Sequence, residues 1–127
     1  MRKFAHALVV ITALAPACAL GYSDSQEVDL VRRAAELGDA KAQVRMGWIH
    51  HEGRGVPQSD AEAAKWYLKA AERGDVSAQT LIALMLALGE GIQQDNGMAD
   101  FWFQQAAAQS DPDTRFQIET LRRSVRK

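Results

Sequence analysis

Along most of the chain, apolar residues recur at intervals of three and four positions, which is the spacing of a buried helical face. One such stretch runs from about Asp39 to Glu52. Its apolar positions are Ala42, Met46, Trp48 and Ile49. The strict alternation of apolar and polar residues that is typical of β-strands does not occur in the sequence. The pattern therefore predicts an all-α protein.

A second kind of helix is predicted to start at Ser59 and to stop at Gly74. Ser59 and Glu62 have the spacing of a capping box, which satisfies free amide groups at a helix start. The apolar side of this helix consists of Ala63, Trp66, Tyr67 and Ala70. Gly53 and Gly55 end the helix before it, because glycine accepts the left-handed conformation common at helix ends.

The same two-helix plan returns 36 residues further along the chain. Residues 34–43 align with 70–79, and the agreement continues into 106–111. The turn at 52–58 aligns with 88–94. An aromatic string is repeated as well, with Lys65-Trp66-Tyr67 matching Phe101-Trp102-Phe103. So many matches at one offset indicate a true repeat.

Two full repeats are predicted at about 39–74 and 75–110, with flanking half-repeats at 25–38 and 111–127. Asp111 and Pro112 open the last helix, as its cap and its first helical residue. Repeats of this kind bury their apolar faces only against neighbouring repeats. We therefore expect an α/α solenoid, a superhelix of about six helices within residues 22–127.

The first 21 residues have the order of a secretory signal peptide. Arg2 and Lys3 precede an apolar run at 7–14, and small residues follow up to Gly21. Cleavage is expected near Ala19 or Gly21, which would place the mature protein in the periplasm or outside the cell. The apolar run is too short to span a membrane, which takes about 20 residues.

Cys18 is the only cysteine and lies inside the predicted signal peptide. A lipoprotein signal also ends in a small residue and a cysteine, so lipidation is an alternative. The sequence does not favour a lipid anchor at Cys18, because Ala15 stands where such signals usually have leucine.

Charge and candidate ligands give no sign of a nucleic acid, metal or cofactor. The formal net charge is −1, whereas nucleic-acid-binding domains are usually strongly basic. His50 and His51 are adjacent, so on a helix they point about 100° apart and do not share one ion easily. The Gly53 and Gly55 turn follows a helix rather than a strand, unlike phosphate loops. We expect no catalytic, cofactor-binding or metal-binding residues, and no enzyme activity.

The string Ala70-Ala71-Glu72-x-Gly74-Asp75-x-x-Ala78-Gln79, with Gly53-Arg54-Gly55-Val56-Pro57-Gln58, resembles the Sel-one-like repeat. This family is related to the tetratricopeptide repeats. The resemblance implies a right-handed superhelix that binds other proteins, as an adaptor or as an immunity-type partner of a secreted effector. The second repeat departs from the family pattern at Ala83, Leu86 and Gly97, so its second helix has a less certain start.

By analogy with tetratricopeptide relatives, the first helix of each repeat should line a concave partner-binding face. The expected residues on that face are Lys41, Val44, Trp48, His51, Thr80, Leu84, Leu88 and Phe116. Tryptophan is enriched at binding hot spots. The alternative that Trp48, Leu84 and Phe116 are core residues between helices stays open at this point.

Taken together, the sequence predicts an exported protein–protein interaction module, a periplasmic adaptor or scaffold, without catalytic activity of its own. Two alternatives remain. One is an immunity-type inhibitor of a secreted effector, and the other is a cell-envelope hydrolase or glycan binder.

Overall fold

The computed structural model describes residues 23–127, in which the chain forms six α-helices. The predicted signal peptide and Cys18 lie outside the described residues. The helices are α1 (Asp24–Glu36), α2 (Ala40–Glu52), α3 (Asp60–Glu72), α4 (Val76–Leu88), α5 (Asn96–Ala108) and α6 (Pro112–Val125). The predicted all-helical fold is confirmed.

Each helix packs on the next one in the chain, and α4 also contacts α6. Packing is most extensive within the pairs α2–α3 and α4–α5, which are the two full repeats. The helices alternate in kind, so α2, α4 and α6 are first helices of a repeat, while α1, α3 and α5 are second helices. This arrangement is the α/α solenoid that the repeat predicts.

Every helix begins at a side chain that accepts a hydrogen bond from the first turn. The N-cap residues are Ser23, Asp39, Ser59, Asp75, Asp95 and Asp111. Asp95 fixes the start of α5 at Asn96, the position that the sequence left uncertain. Gly97 lies within the first turn of α5 and is exposed there.

The predicted capping box at Ser59 forms only in its first half. Ser59 Oγ accepts from the Glu62 amide at 3.2 Å, but the Glu62 carboxylate accepts from Lys65 instead of reaching back. The reason is that the Ser59 amide already donates to the His50 carbonyl, 2.8 Å away at the end of α2. A complete capping box occurs at Ser23, where Gln26 reaches back to the cap.

Buried glutamines form hydrogen bonds that connect the first helix of each repeat to the preceding helix. Gln43 donates to the Ala35 carbonyl at 3.1 Å, and Gln79 donates to the Ala71 carbonyl at 3.2 Å. In α6 the corresponding residue is Arg115, whose Nε donates to the carbonyl at the matching place, in Ala107, at 3.0 Å. Each bond is an additional one to a carbonyl in the last turn of a helix, which also accepts from the backbone amide three residues later.

The two glycine-rich turns end α2 and α4 as predicted, with φ of 71° at Gly53 and 70° at Gly89. Gly47 has a different purpose, since a Cβ there would lie 2.5 Å from the Tyr67 ring. A glycine therefore lets α2 and α3 cross at contact distance. In the second repeat the corresponding residues are Ala83 and Phe103, and both are buried.

Two clusters of buried side chains form the core. The larger joins α3, α4, α5 and α6, and many of its members are alanines. The smaller joins α1 and α2 and consists of Val28, Ala35, Met46 and Ile49. Alanine places only a methyl group where helices cross, so the helices of the larger cluster approach closely.

Candidate protein-binding face

The eight residues predicted to bind a partner all lie on the first helices, and we call them the first-helix face. Lys41, Val44, Trp48 and His51 belong to α2, Thr80, Leu84 and Leu88 to α4, and Phe116 to α6. Their spacing places the members on one side of each helix. The three helices are neighbours in order, because α2 is tied to the start of α4 and α4 contacts α6. Their role in binding stays a prediction.

Lys41 links two repeats and is not a free cation. Its side chain is 84% exposed, but Nζ lies 2.8 Å from Asp75 Oδ2. The other carboxylate oxygen of Asp75, Oδ1, accepts from the Ala78 amide at 2.9 Å as the cap of α4. Lys41 therefore stabilises the start of the second repeat as well as facing solvent.

Trp48 is half-buried and packs against the smaller core cluster. The guanidinium carbon of Arg54 lies 5.2 Å from the centre of the Trp48 ring, a cation–π arrangement. Arg54 also reaches the carboxylates of Asp24 and Glu27, at 3.5 and 3.9 Å. Trp48 therefore contributes to the packing of α1, the turn and α2, and only part of its surface is accessible.

The remaining apolar members differ in exposure. Val44 and Leu84 are half-buried and pack against the larger core cluster. By contrast, Leu88 is 53% exposed and Phe116 is 72% exposed. Phe116 stands 36 positions after Thr80, which is half-buried, so the last helix exposes a large side chain where an earlier one does not. Leu88 and Phe116 are the apolar side chains of this face that a partner could reach most easily.

The two histidines have different surroundings. His51 is exposed, and its Nδ1 lies 2.7 Å from Asp60 Oδ1, which also accepts from Gln58. His50 is half-buried, with Nδ1 buried and without a hydrogen-bond partner. Burial lowers the pKa of His50, which Glu62 partly opposes. Within residues 23–127, no group of three histidine, cysteine or acidic side chains could hold a metal ion.

Two exposed apolar side chains on α5 were missed by the sequence reasoning. Met98 and Phe101 occupy the positions that Glu62 and Lys65 have in α3. There the two side chains form an ion pair of 2.8 Å. The repeat alignment of Lys65 with Phe101 contained this signal, since it pairs a charged residue with an aromatic one.

None of the described helices is long and apolar enough to cross a membrane.

Two copies of the Sel1 repeat model match the chain, at residues 40–75 and 76–111. This chain belongs to the Sel1 repeat family. Sel1 repeats are protein–protein interaction modules. No protein of curated function matches it.

Solved Sel1 repeat structures agree with this assignment. A Sel1 repeat protein from Oxalobacter formigenes is 37% identical, with a TM-score of 0.65. That alignment covers 68% of this chain and 66% of the other. A second structure is c5321, a protective antigen present in uropathogenic Escherichia coli strains that displays the SLR fold. It is 36% identical, with a TM-score of 0.67, over 70% of this chain and 19% of that one.

The Sel1 repeat chain also shares its fold with Helicobacter pylori cysteine rich protein B. The TM-score is 0.69 over 81% of this chain and 80% of the other, at 18% identity. This likeness concerns the fold alone. The chain spans just under two thirds of the Oxalobacter protein and about a fifth of the Escherichia coli antigen.

Proposed function

We propose that this chain is an exported adaptor that binds another protein through the first-helix face and catalyses no reaction itself. The observation that carries the proposal is the exposure of Leu88 and Phe116 on the neighbouring helices α4 and α6. Large apolar side chains that face solvent on one side of a repeat array are suited to bury surface against a partner. Membership of a family of interaction modules supports the same function.

The surroundings of the titratable side chains support a role without catalysis. The Asp60 oxygen that faces His51 also accepts from Gln58, so these groups fasten the turn to the start of α3. Burial raises the pKa of Tyr67 to about 12, which keeps its hydroxyl protonated at neutral pH. Both observations give these side chains a structural explanation.

Export rests on the first 21 residues of the sequence, which lie outside the described residues. If the signal peptide is removed as proposed, the mature protein starts at Leu20 or Tyr22. Fractionation of cells that express the full chain, followed by sequencing of the N-terminus, tests this. Recovery of the intact chain from the cytoplasm would contradict export without affecting the binding face.

The binding face is tested with two double variants, each of which replaces two exposed apolar side chains by serine. Leu88→Ser/Phe116→Ser alters the first-helix face, and Met98→Ser/Phe101→Ser removes exposed apolar side chains from α5 as the matched control. We expect one dominant partner to co-purify with the wild-type chain and with the control, and to be lost from the first variant. Mass spectrometry identifies the partner, and circular dichroism verifies that both variants fold.

The opposite outcome, loss of the partner only from the Met98→Ser/Phe101→Ser variant, would move the site to α5. Retention by both variants would contradict the proposal that exposed apolar side chains of the first helices bind the partner. Trp48 and Leu84 are less suitable for this test, because both are half-buried and their truncation also weakens the core.

A further inference from the structure

The last helix, α6, is rich in arginine, and most of its arginines already have partners. Arg122 and Arg126 each lie 2.8 Å from a carboxylate oxygen of Asp100 in α5. Arg115 donates to the carbonyl of Ala107 in α5 at 3.0 Å and to that of Ser110, just after α5, at 3.1 Å. Arg123 is exposed and has neither an ion pair nor a side-chain hydrogen bond within the part of the chain that the structure describes.

Arg123 lies on the same side of α6 as Phe116. The two residues are seven positions apart, which is two helical turns and about 10 Å along the axis. Thr120 lies between them, and its hydroxyl donates to the Phe116 carbonyl at 2.8 Å. The side of α6 that continues the first-helix face thus combines an exposed aromatic ring with an exposed arginine that pairs with no other side chain among residues 23–127.

The other first helices offer no comparable cation on this side. Lys41 in α2 is held by Asp75, and Arg45 pairs with the buried carboxylate of Glu27. The helix α4 carries no charged side chain at all. Among the cations of the first helices, Arg123 is therefore the exposed one without a partner in the described residues, although α6 also carries the exposed carboxylate of Asp113 one turn before Phe116.

We propose that the partner presents an acidic protein segment, in which an apolar side chain packs on Phe116 and a carboxylate pairs with Arg123 about 10 Å away. This inference rests on the proposed function, since it names the partner chemistry of the same face. An arginine–carboxylate pair adds directional hydrogen bonds to the attraction of opposite charges. Complementary charge at the edge of an apolar contact mainly sets specificity and the rate of association.

The test uses a displayed library of random peptides of about sixteen residues, long enough for four helical turns. The library is panned against the immobilised full chain, its Arg123→Glu variant and its Phe116→Ser variant. Arg33→Glu in α1 is the matched control, because Arg33 is also exposed and its side chain has no ion pair in the described residues. Sequencing of the selected peptides reports which side chains the face prefers.

We expect peptides selected on the wild-type chain and on Arg33→Glu to combine aspartate or glutamate with an apolar residue. Arg123→Glu should reverse the preference to lysine or arginine, and should bind the original peptides about fivefold more weakly. Phe116→Ser should remove the apolar preference.

Selected peptides without an acidic preference, or an acidic preference that Arg123→Glu leaves unchanged, would overturn this inference. If their binding were still lost in Leu88→Ser/Phe116→Ser, the proposed function would stand. If the selected peptides bound every one of these variants as well as the wild type, or if no peptide could be selected, the result would count against both this inference and the proposed function.

Discussion

Between Arg73 and Arg115 the chain has no lysine or arginine, so the second Sel1 repeat, unlike the first, carries no positive side chain. The two repeats nevertheless share their helix lengths, aspartate caps and left-handed glycines at the helix ends. They also share the buried glutamine that binds the preceding helix. What the two repeats have in common is therefore the set of residues that begins, ends and links the helices, and they differ both on the surface and at buried positions such as Gly47 and Ala83.

The same position can be filled by opposite chemistry. In α3, Glu62 pairs with Lys65, whereas α5 has the exposed Met98 and Phe101 there. At another pair of positions the charged residues belong to the later helices instead. Ala64 and Leu86 are buried apolar residues, and their counterparts 36 positions later are Asp100 and Arg122, which form an ion pair.

The largest effect is expected from giving the first repeat the alanine of the second. In Gly47→Ala the new methyl group would lie 2.5 Å from the Tyr67 ring, so α2 and α3 must move apart. We expect a loss of about 2 kcal/mol in the free energy of unfolding, as for other overpacked cores. Urea denaturation measures it.

The reverse change, Ala83→Gly, should cost only about 1 kcal/mol, because it removes a methyl group and adds backbone freedom. If Gly47→Ala were no more harmful than Ala83→Gly, the close approach of α2 and α3 would not depend on glycine.

Much of this scaffold could be predicted from the sequence, because caps, turns and the repeat offset depend on local patterns. The six helices and the caps at Ser59 and Asp111 follow directly from such patterns. The exposure of the first-helix face could not be predicted, since it depends on how neighbouring helices approach. The sequence pattern made Trp48 and Phe116 equally good candidates for a binding residue, but Trp48 is half-buried and Phe116 is largely exposed.

The sequence also could not tell how hydrogen bonds are shared between elements. The Ser59 capping box is incomplete because a carbonyl of α2 takes the bond that Glu62 would have formed. Likewise, the pairing of Lys41 with Asp75 joins residues 34 positions apart, which no local spacing indicates.

A slightly smaller effect is expected at the glutamine that both repeats share. Gln79→Leu removes the side-chain hydrogen bond to the Ala71 carbonyl, which keeps its bond from the Gly74 amide, and also removes the acceptor of Gln109. Each lost hydrogen bond is worth about 0.5–1.5 kcal/mol, so the melting temperature and the urea midpoint should both fall.

The matched change is Arg115→Gln, which gives α6 the residue that the two full repeats use. We expect it to be close to neutral, since glutamine reaches the equivalent carbonyl in both repeats. A destabilisation as large as that of Gln79→Leu would mean that α6 docks in a different way from α2 and α4.

His50 and Leu86 give a smaller, pH-dependent comparison. Burial lowers the pKa of His50, so the unfolded chain binds its proton at a higher pH than the folded chain does. The contribution that neutral His50 makes to stability is therefore lost as the pH falls from the ordinary histidine pKa through the lowered one. Arg32 adds to the lowering, and Glu62 opposes it.

His50→Leu should remove this part of the pH dependence and stabilise the protein by about 1 kcal/mol, because it also removes a buried nitrogen without a partner. Urea unfolding at about pH 7.5 and about pH 5.5 measures both effects around the ordinary pKa of histidine. His51 is present in both proteins, so the difference between them reports on His50. An equal slope in both proteins would show that His50 titrates normally.

The smallest effect is expected where the two repeats use opposite chemistry for one contact. The double variant Asp100→Ala/Arg122→Leu gives α5 and α6 the residues found at the same repeat positions in α3 and α4, where Ala64 and Leu86 belong to the larger core cluster. The side chains of Asp100 and Arg122 are 23% and 18% exposed, so their attraction is partly offset by lost hydration. We expect a stability within about 0.5 kcal/mol of the wild type.

Asp100→Ala alone should be worse than the double variant, because it leaves the partly buried Arg122 without its main partner. Arg122 and Arg126 hold the pKa of Asp100 below its usual range, so this contact weakens when the carboxylate is protonated at low pH. The double variant should therefore lose less stability on acidification than the wild type does. If it instead unfolded readily at neutral pH, the ion pair would position α6 in a way that an apolar contact cannot, and the two contacts would not be interchangeable.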